Sequence, residues 1–145
     1  MEEFENRYNT NLTQKIRMPR IIKNNILHAE ISYKLNGIFF KIHNELGRFR
    51  NEKQYADALE YKLNLNNINY QREKALPESF SGENKNRNIP DFIVEDKIII
   101  DIKAKRLITK SDYFQMKRYL VSSGKNLGII VNFRQRFLTP KRIVN

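Results

Sequence analysis

The sequence contains no cysteine and no tryptophan, and it has only two histidines, His28 and His43. The absence of cysteine excludes disulfide scaffolds, zinc fingers, iron–sulfur clusters and thiol nucleophiles. Two histidines are too few for a histidine-rich metal site. Any catalytic metal must therefore bind oxygen ligands, and such ligands favour a hard cation such as Mg²⁺ or Mn²⁺.

Long apolar runs are also missing. No stretch approaches the roughly 18 apolar residues of a membrane span, and the first five residues, Met1–Glu5, are acidic rather than apolar. We therefore expect no membrane partner and an intracellular protein, in the cytoplasm or in another compartment that holds nucleic acid.

Negative charge is scarce relative to positive charge. The 145 residues carry 27 Lys and Arg against 16 Asp and Glu, a net charge of +11. Such a surplus is typical of proteins that bind DNA or RNA, although it can also serve solubility alone. Residues 101–145 hold 11 of the basic and only 2 of the acidic residues. We expect the following to contact the nucleic-acid backbone: Lys105, Arg106, Lys110, Lys117, Arg118, Arg134, Arg136, Lys141 and Arg142.

The length and the apolar fraction of 40% fit one packed domain. Residues 1–29 lack periodicity and predict a basic N-terminal extension, with a short helix around Ile21–Leu27, whereas 30–145 predict a single domain. A first helix carries apolar residues at helical spacing from Ile31 and ends at Gly47. Asn51 is a suitable cap for a second helix, whose first residue is then Glu52.

The second half of the chain contains most of the strand-like segments. Strands are predicted at Ile68–Leu76, Asp91–Glu95, Lys97–Lys103 and Leu127–Phe133, the last buried on both faces. A third helix is predicted up to Ser123 with Ser111 as its cap, and no further element is predicted over 134–145. The resulting order, α-β-β-β-α-β after an extra N-terminal helix, predicts an α/β fold with a mixed central sheet flanked by helices.

Two predicted neighbouring strands carry acidic residues at matching positions. Asp91 opens one strand, and Asp101 and Lys103 share one face of the next because side chains alternate along a strand. If Glu95–Lys97 forms a three-residue hairpin loop, Asp91 lies directly opposite Asp101. The Cβ atoms of opposed residues are about 4.5–5.5 Å apart, and two carboxylates at that distance repel each other unless a cation joins them. This cost favours a metal site.

A hard cation on Asp91 and Asp101 suits the hydrolysis of a phosphodiester, because it can polarise the phosphate and activate a bound water. Lys103 can orient that water or help to deprotonate it, and Glu52 can complete the metal shell. The plain alternative is that both aspartates are ordinary acids at strand ends and that Lys103 faces solvent.

With these motifs, the sequence resembles the PD-(D/E)xK nuclease superfamily, and within it a small group named for its GxxExxY motif. The similarity runs from about Ile31 to Val144, and the final motif acid is Asp101 where relatives often have Glu. Phe49 stands where the GxxExxY motif begins with glycine. The matching residues are Ile31-Ser32-Tyr33, Gly37, His43-Asn44-Glu45-Leu46-Gly47, Glu52, Tyr55, Ala58-Leu59, Pro90-Asp91, Asp101-Ile102-Lys103, Gln115, Tyr119-Leu120, Gly128, Asn132-Phe133 and Lys141-Arg142-Ile143.

The resemblance implies a restriction-endonuclease-like core and a catalytic set of Glu52, Asp91, Asp101 and Lys103, with Gln115 as a further active-site residue. It implies Mg²⁺ or Mn²⁺ on Asp91, Asp101 and Glu52, and hydrolysis of DNA by an endo- or exodeoxyribonuclease, with RNA as the other possible substrate. A homodimer is one possible assembly. The competing hypothesis is a non-catalytic nucleic-acid-binding protein on the same fold, for example a component of a ribonucleoprotein.

Overall fold

A computed structural model describes residues 26–145. The predicted extension 1–29 lies outside the described residues except for 26–29, and so does most of the predicted helix around Ile21–Leu27. No helix within 26–145 is long and apolar enough to cross a membrane.

Two helices open the described chain. Helix α1 spans Ala29–Leu46 and ends where Gly47 adopts a left-handed φ of 75°, and helix α2 spans Glu52–Leu65. Asn51 and Gln54 form a capping box, in which each side chain accepts a hydrogen bond of 2.9 Å from the backbone N–H of the other. The predicted end of the first helix and the predicted start of the second are therefore confirmed.

Helix α3 spans Lys110–Ser123, and its cap is Thr109 rather than the predicted Ser111. The reason is that Asp112 lies at the third helical position, where its carboxylate accepts hydrogen bonds from both the N–H and the hydroxyl of Thr109. Gly124 ends the helix in the left-handed region, with φ of 72°.

Five strands form one mixed sheet in the order β1-β2-β3-β4-β5. Only β3 and β4 run parallel to each other. The strands are β1 Tyr70–Arg72, β2 Phe92–Val94, β3 Ile98–Lys103, β4 Leu127–Asn132 and β5 Lys141–Val144.

The predictions missed β5 and made the first strand too long. Strand β5 pairs with β4 after Pro140, so part of the segment 134–145, for which no element is predicted, completes the sheet. The first strand has three residues rather than the nine of Ile68–Leu76, because Glu73 adopts a left-handed φ of 52° directly after Arg72 and interrupts the extended backbone there. The α/β class and the mixed sheet are confirmed.

The sheet is buried on both faces by two apolar clusters. Ile98, Ile100 and Ile102 point to the cluster built with α1 and α2, whereas Ile99 points to the cluster built with α3. Because side chains alternate along β3, Asp101 and Lys103 lie on the α3 face.

Gly128 allows α3 to approach that face closely. A Cβ added at Gly128 would overlap the Met116 side chain, mainly at its sulfur. Because glycine has no side chain, Gly128 sets how closely α3 packs on β3 and β4. This distance in turn sets the position of the polar residues in the first turns of the helix.

Candidate active site

The Asp91 and Asp101 carboxylates face each other across the β2–β3 hairpin. Val94 pairs with Ile98 and Phe92 with Ile100, and continuing this register by one step places Asp91 opposite Asp101. This is the pairing that a three-residue loop predicts. The Asp91 Oδ2 atom accepts a hydrogen bond of 2.6 Å from the backbone N–H of Ile102, and this bond holds the carboxylate against β3.

The burial of the site and the neighbouring Asp101 perturb the Asp91 carboxyl. Burial, followed by the charge of Asp101 and a hydrogen bond between the two side chains, raises the pKa of Asp91 to about 7, although the Ile102 N–H and Lys103 oppose this shift. Tyr119 of α3 covers the pair, and its pKa is raised by its burial and then by the charges of Asp101 and Asp91. Its hydroxyl donates a hydrogen bond to the carbonyl of Ile89, two residues before Asp91. The two carboxylates therefore lie close together in a largely buried environment beneath α3.

Lys103 is the cation nearest to the pair. Its Nζ lies 2.9 Å from Asp101 Oδ2 and donates a hydrogen bond of 2.9 Å to Gln115 Oε1 of α3. Burial alone would lower the pKa of Lys103, but the charge and hydrogen bonding of Asp101, with Asp112 and Glu52, outweigh it and raise the pKa. The side chain is therefore an ammonium at neutral pH, suited to binding a phosphate or orienting a water rather than to removing a proton.

Asp112 belongs to the same cluster, and the sequence reasoning missed it. It is 6% exposed, its Oδ1 lies 3.8 Å from Lys103 Nζ, and its other oxygen pairs with Lys105 Nζ. Burial would raise the pKa of Asp112, but the interactions with Lys105 and Thr109 prevail and lower it. The spacing of Thr109 and Asp112 is typical of a helix start and could have drawn attention to Asp112. The spacing does not indicate that this helix begins beside Lys103.

Glu52 lies at the same edge of the sheet but apart from the two aspartates. Its Oε2 accepts a hydrogen bond of 3.3 Å from the N–H of Ala104, directly after Lys103. Within residues 26–145, no three His, Cys, Asp or Glu side chains converge closely enough to hold one ion. In this conformation Glu52 thus influences Lys103 through its charge and does not complete a shell with Asp91 and Asp101.

Tyr55 fixes the loop that precedes Glu52. Its hydroxyl donates to the Gly47 carbonyl at 2.6 Å and accepts from the Arg50 N–H at 3.2 Å. Its ring stacks on Phe133, with centroids 4.3 Å apart and an interplanar angle of 9°. The loop and the start of α2 are therefore anchored to the end of β4.

We expect Tyr55→Phe to lower the free energy of unfolding by about 1–2 kcal/mol, because it keeps the ring stack but leaves the Gly47 carbonyl and the Arg50 N–H without this partner. Urea denaturation measures the change. Tyr61→Phe, at a residue that is 65% exposed, is the matched control and should stay within about 0.5 kcal/mol of the parent. Equal effects of the two variants would contradict the anchoring role.

The acidic pair fits a divalent cation. Asp101 is 4% exposed and lies opposite Asp91, with the Lys103 Nζ 2.9 Å from its Oδ2. One ammonium balances only one of two carboxylate charges, so the repulsion between the ionised pair remains costly. A hard cation held by oxygens of both residues would relieve this cost.

The basic residues expected to bind nucleic acid are placed unequally. Arg142 donates to the Ser32 hydroxyl and the Leu27 carbonyl, on the α1 side of the sheet. Lys117 donates to the carbonyl of Val144, at the end of β5 farthest from Lys103. These two side chains are therefore engaged away from the acidic pair.

Other basic residues lie nearer or point to solvent. Lys105 pairs with Asp112, and Arg134 donates through Nε to the Arg48 carbonyl at 2.6 Å, on the loop before Glu52. The exposed members are Arg106, Lys110, Arg118, Arg136 and Lys141. Asn132 fixes the segment after β3, since its side chain donates to the carbonyl of Lys105 and accepts from its N–H.

One family model matches this chain. The model describes the PD-(D/E)XK nuclease superfamily and covers residues 29–143. This range includes the acidic pair, Lys103 and nearly the full length of every helix and strand in the described residues 26–145. No curated protein and no solved structure matches the chain.

Proposed function

Since this chain belongs to the PD-(D/E)XK nuclease superfamily, we propose that it is a metal-dependent nuclease that hydrolyses phosphodiester bonds in DNA. The observation that carries the proposal is the Asp91–Asp101 pair, whose carboxylates face each other beside the partly buried ammonium of Lys103. Burial and the charge of Asp101 raise the pKa of Asp91, so the charged form of Asp91 costs folding free energy, and a metal-dependent reaction would explain why the pair is present.

In the proposed mechanism, Asp91 and Asp101 would hold Mg²⁺ or Mn²⁺, and the ion would supply charge neutralisation at the attacked phosphate and a more acidic water. Lys103 donates to a phosphate oxygen or to the attacking water, and Gln115 fixes the direction of its ammonium through the 2.9 Å hydrogen bond. Asp112 and Lys105 add a charge pair that keeps the first turn of α3 over the site. Glu52 is proposed to join the metal shell directly or through water.

The substrate assignment rests on charge and on family resemblance. The exposed cations near the sheet edge suit the polyphosphate backbone of DNA and of RNA alike. We favour DNA over RNA because the resemblance to the nuclease superfamily implies it. The Glu52 and Tyr55 pair, with Tyr55 holding the loop before Glu52, supports placing the chain in the GxxExxY group.

The test is a cleavage panel. The purified full chain is incubated with Mg²⁺, Mn²⁺ or EDTA and with plasmid, single-stranded and branched DNA, and with single-stranded RNA of matched length. We expect DNA cleavage with either metal and none in EDTA. If every substrate stays intact with both metals, the proposed hydrolysis is wrong, and the binding-protein hypothesis replaces it provided that the chain binds the same nucleic acids.

A further inference from the structure

An exposed aromatic ring in the loop between α1 and α2 lies beside two guanidinium groups. Phe49 is 78% exposed. The guanidinium carbons of Arg48 and Arg134 lie 5.2 and 5.8 Å from the centroid of its ring. We call these three residues the aromatic platform.

The platform is held by backbone contacts and not by burial of the ring. Arg134 donates to the carbonyls of Arg48, at 2.6 Å, and of Arg50, at 3.4 Å. The Tyr55 hydroxyl fixes the same loop at Gly47. Because these contacts fix the backbone of the loop, the loop loses little conformational freedom when a second flat group stacks on the exposed ring.

One of the two guanidinium groups beside the ring also lacks a hydrogen-bond partner at one of its nitrogens. The buried Arg48 Nε has no hydrogen-bond partner. Two guanidiniums that share one ring also repel each other, so an anion placed beside the ring would stabilise both. A phosphate next to a stacked base provides that combination of a flat face and negative charge.

The platform is close to the candidate active site. Phe49 and Glu52 are three positions apart along the chain, so their Cα atoms are at most about 10 Å apart. Glu52 accepts the hydrogen bond from the Ala104 N–H, next to Lys103. A nucleic acid with one phosphate at the acidic pair would therefore pass within a few nucleotides of the ring.

We propose that the aromatic platform stacks an unpaired nucleobase of the substrate beside the cleaved phosphate. This inference rests on the proposed function for its ligand class. Bases inside a continuous duplex already stack on both faces, so the platform selects single-stranded segments such as those in flaps, junctions and open ends.

The experiment measures binding by the full chain in EDTA, where no cleavage occurs. The probes are a fluorescein-labelled 20-nucleotide single strand, the blunt duplex of the same sequence, and the single strand with 2-aminopurine, whose emission falls on stacking. Phe49→Leu removes the aromatic face, and Phe49→Trp keeps it. Tyr61→Leu is the matched control, because Tyr61 is exposed on α2, about 14 Å along the helix from Glu52.

We expect Phe49→Leu to weaken single-strand binding about 5- to 150-fold and to abolish the 2-aminopurine quenching. Duplex binding should change less than about twofold, and Phe49→Trp and Tyr61→Leu should behave like the parent. Equal weakening on both nucleic acids, or no weakening on either, would overturn the inference. So would loss of self-association in Phe49→Leu, which would identify the ring as a contact between copies.

These outcomes are separable from the cleavage panel. If the chain cleaves nothing but its single-strand binding depends on Phe49, the stacking role of the platform is supported and the proposed hydrolysis is wrong. If Phe49→Leu changes neither cleavage nor binding, the proposed hydrolysis stands and the stacking role of the platform is wrong.

Discussion

Asp101→Asn is expected to lower the rate of DNA cleavage by about 10²–10³-fold or more, the effect of removing one preorganised group that stabilises a charged transition state. Asn has the same shape, but it lacks the charge that would help to hold a divalent cation opposite Asp91. It also removes the counter-ion of Lys103, whose ammonium lies 2.9 Å away. Initial rates with Mg²⁺ on a labelled DNA, compared with the parent, measure the change.

The matched control is Asp96→Asn. Asp96 lies in the loop between β2 and β3, where it pairs with Lys125 and is 86% exposed at its side chain. It shares the hairpin with Asp101 but not the acidic pair, so its rate should stay within about twofold of the parent. If both variants cleave as the parent does, the activity arises elsewhere on the chain.

Asp91→Asn is expected to make the metal-free protein more stable at pH 8, by about 1–3 kcal/mol, while it abolishes activity. The pKa of Asp91 is raised in the folded state to about 7, chiefly by burial and then by Asp101. Asn keeps an acceptor for the Ile102 N–H at the position of Oδ2, so the substitution removes the charge and retains the hydrogen bond.

The sign of the pH dependence follows from proton binding. Below pH 4 the carboxyl is protonated in both the folded and the unfolded chain, so parent and variant should differ little. As the pH rises from about 4 through 7, the folded parent holds a proton that the unfolded chain has released, and its stability relative to the variant falls. Urea denaturation in EDTA at pH 4, 6 and 8 measures the difference. A difference that is constant with pH would contradict the raised pKa.

Metal addition gives the same substitution a second readout that does not depend on cleavage. At pH 8, saturating Mn²⁺ should raise the unfolding midpoint of the parent, because a ligand that binds only the folded state stabilises it by about 2.7 kcal/mol at a hundredfold excess over its dissociation constant. Asp91→Asn should show little of this gain. An equal gain in both chains would remove Asp91 from the metal site.

Local patterns in the chain predicted those features that depend on neighbouring residues. Gly47 and Asn51 marked the boundary between α1 and α2 because capping requires particular residues within one turn. The hairpin register followed from loop length alone, since strand pairing advances by one residue on each side. Strand β5 was missed because its pairing with β4 depends on a partner far along the chain and not on its own short basic sequence.

The sequence by itself determined the chemistry that is available. It has no cysteine ligand and few histidines, it places an acid and a lysine on one face of a predicted strand with a second acid on the strand before it, and its positive charge is concentrated after residue 100. These properties depend on residue type and on the period of two along a strand, which no tertiary contact alters.

Only the tertiary structure decided which of these groups meet. Asp112 and Gln115 reach Lys103 because α3 packs closely over Gly128, and Arg134 reaches the loop at Phe49 because Phe133 stacks on Tyr55. It also directed Arg142 and Lys117 away from the acidic pair and kept Glu52 apart from it. Such contacts join elements that are distant along the chain, and packing of both sheet faces sets them where local spacing carries no information.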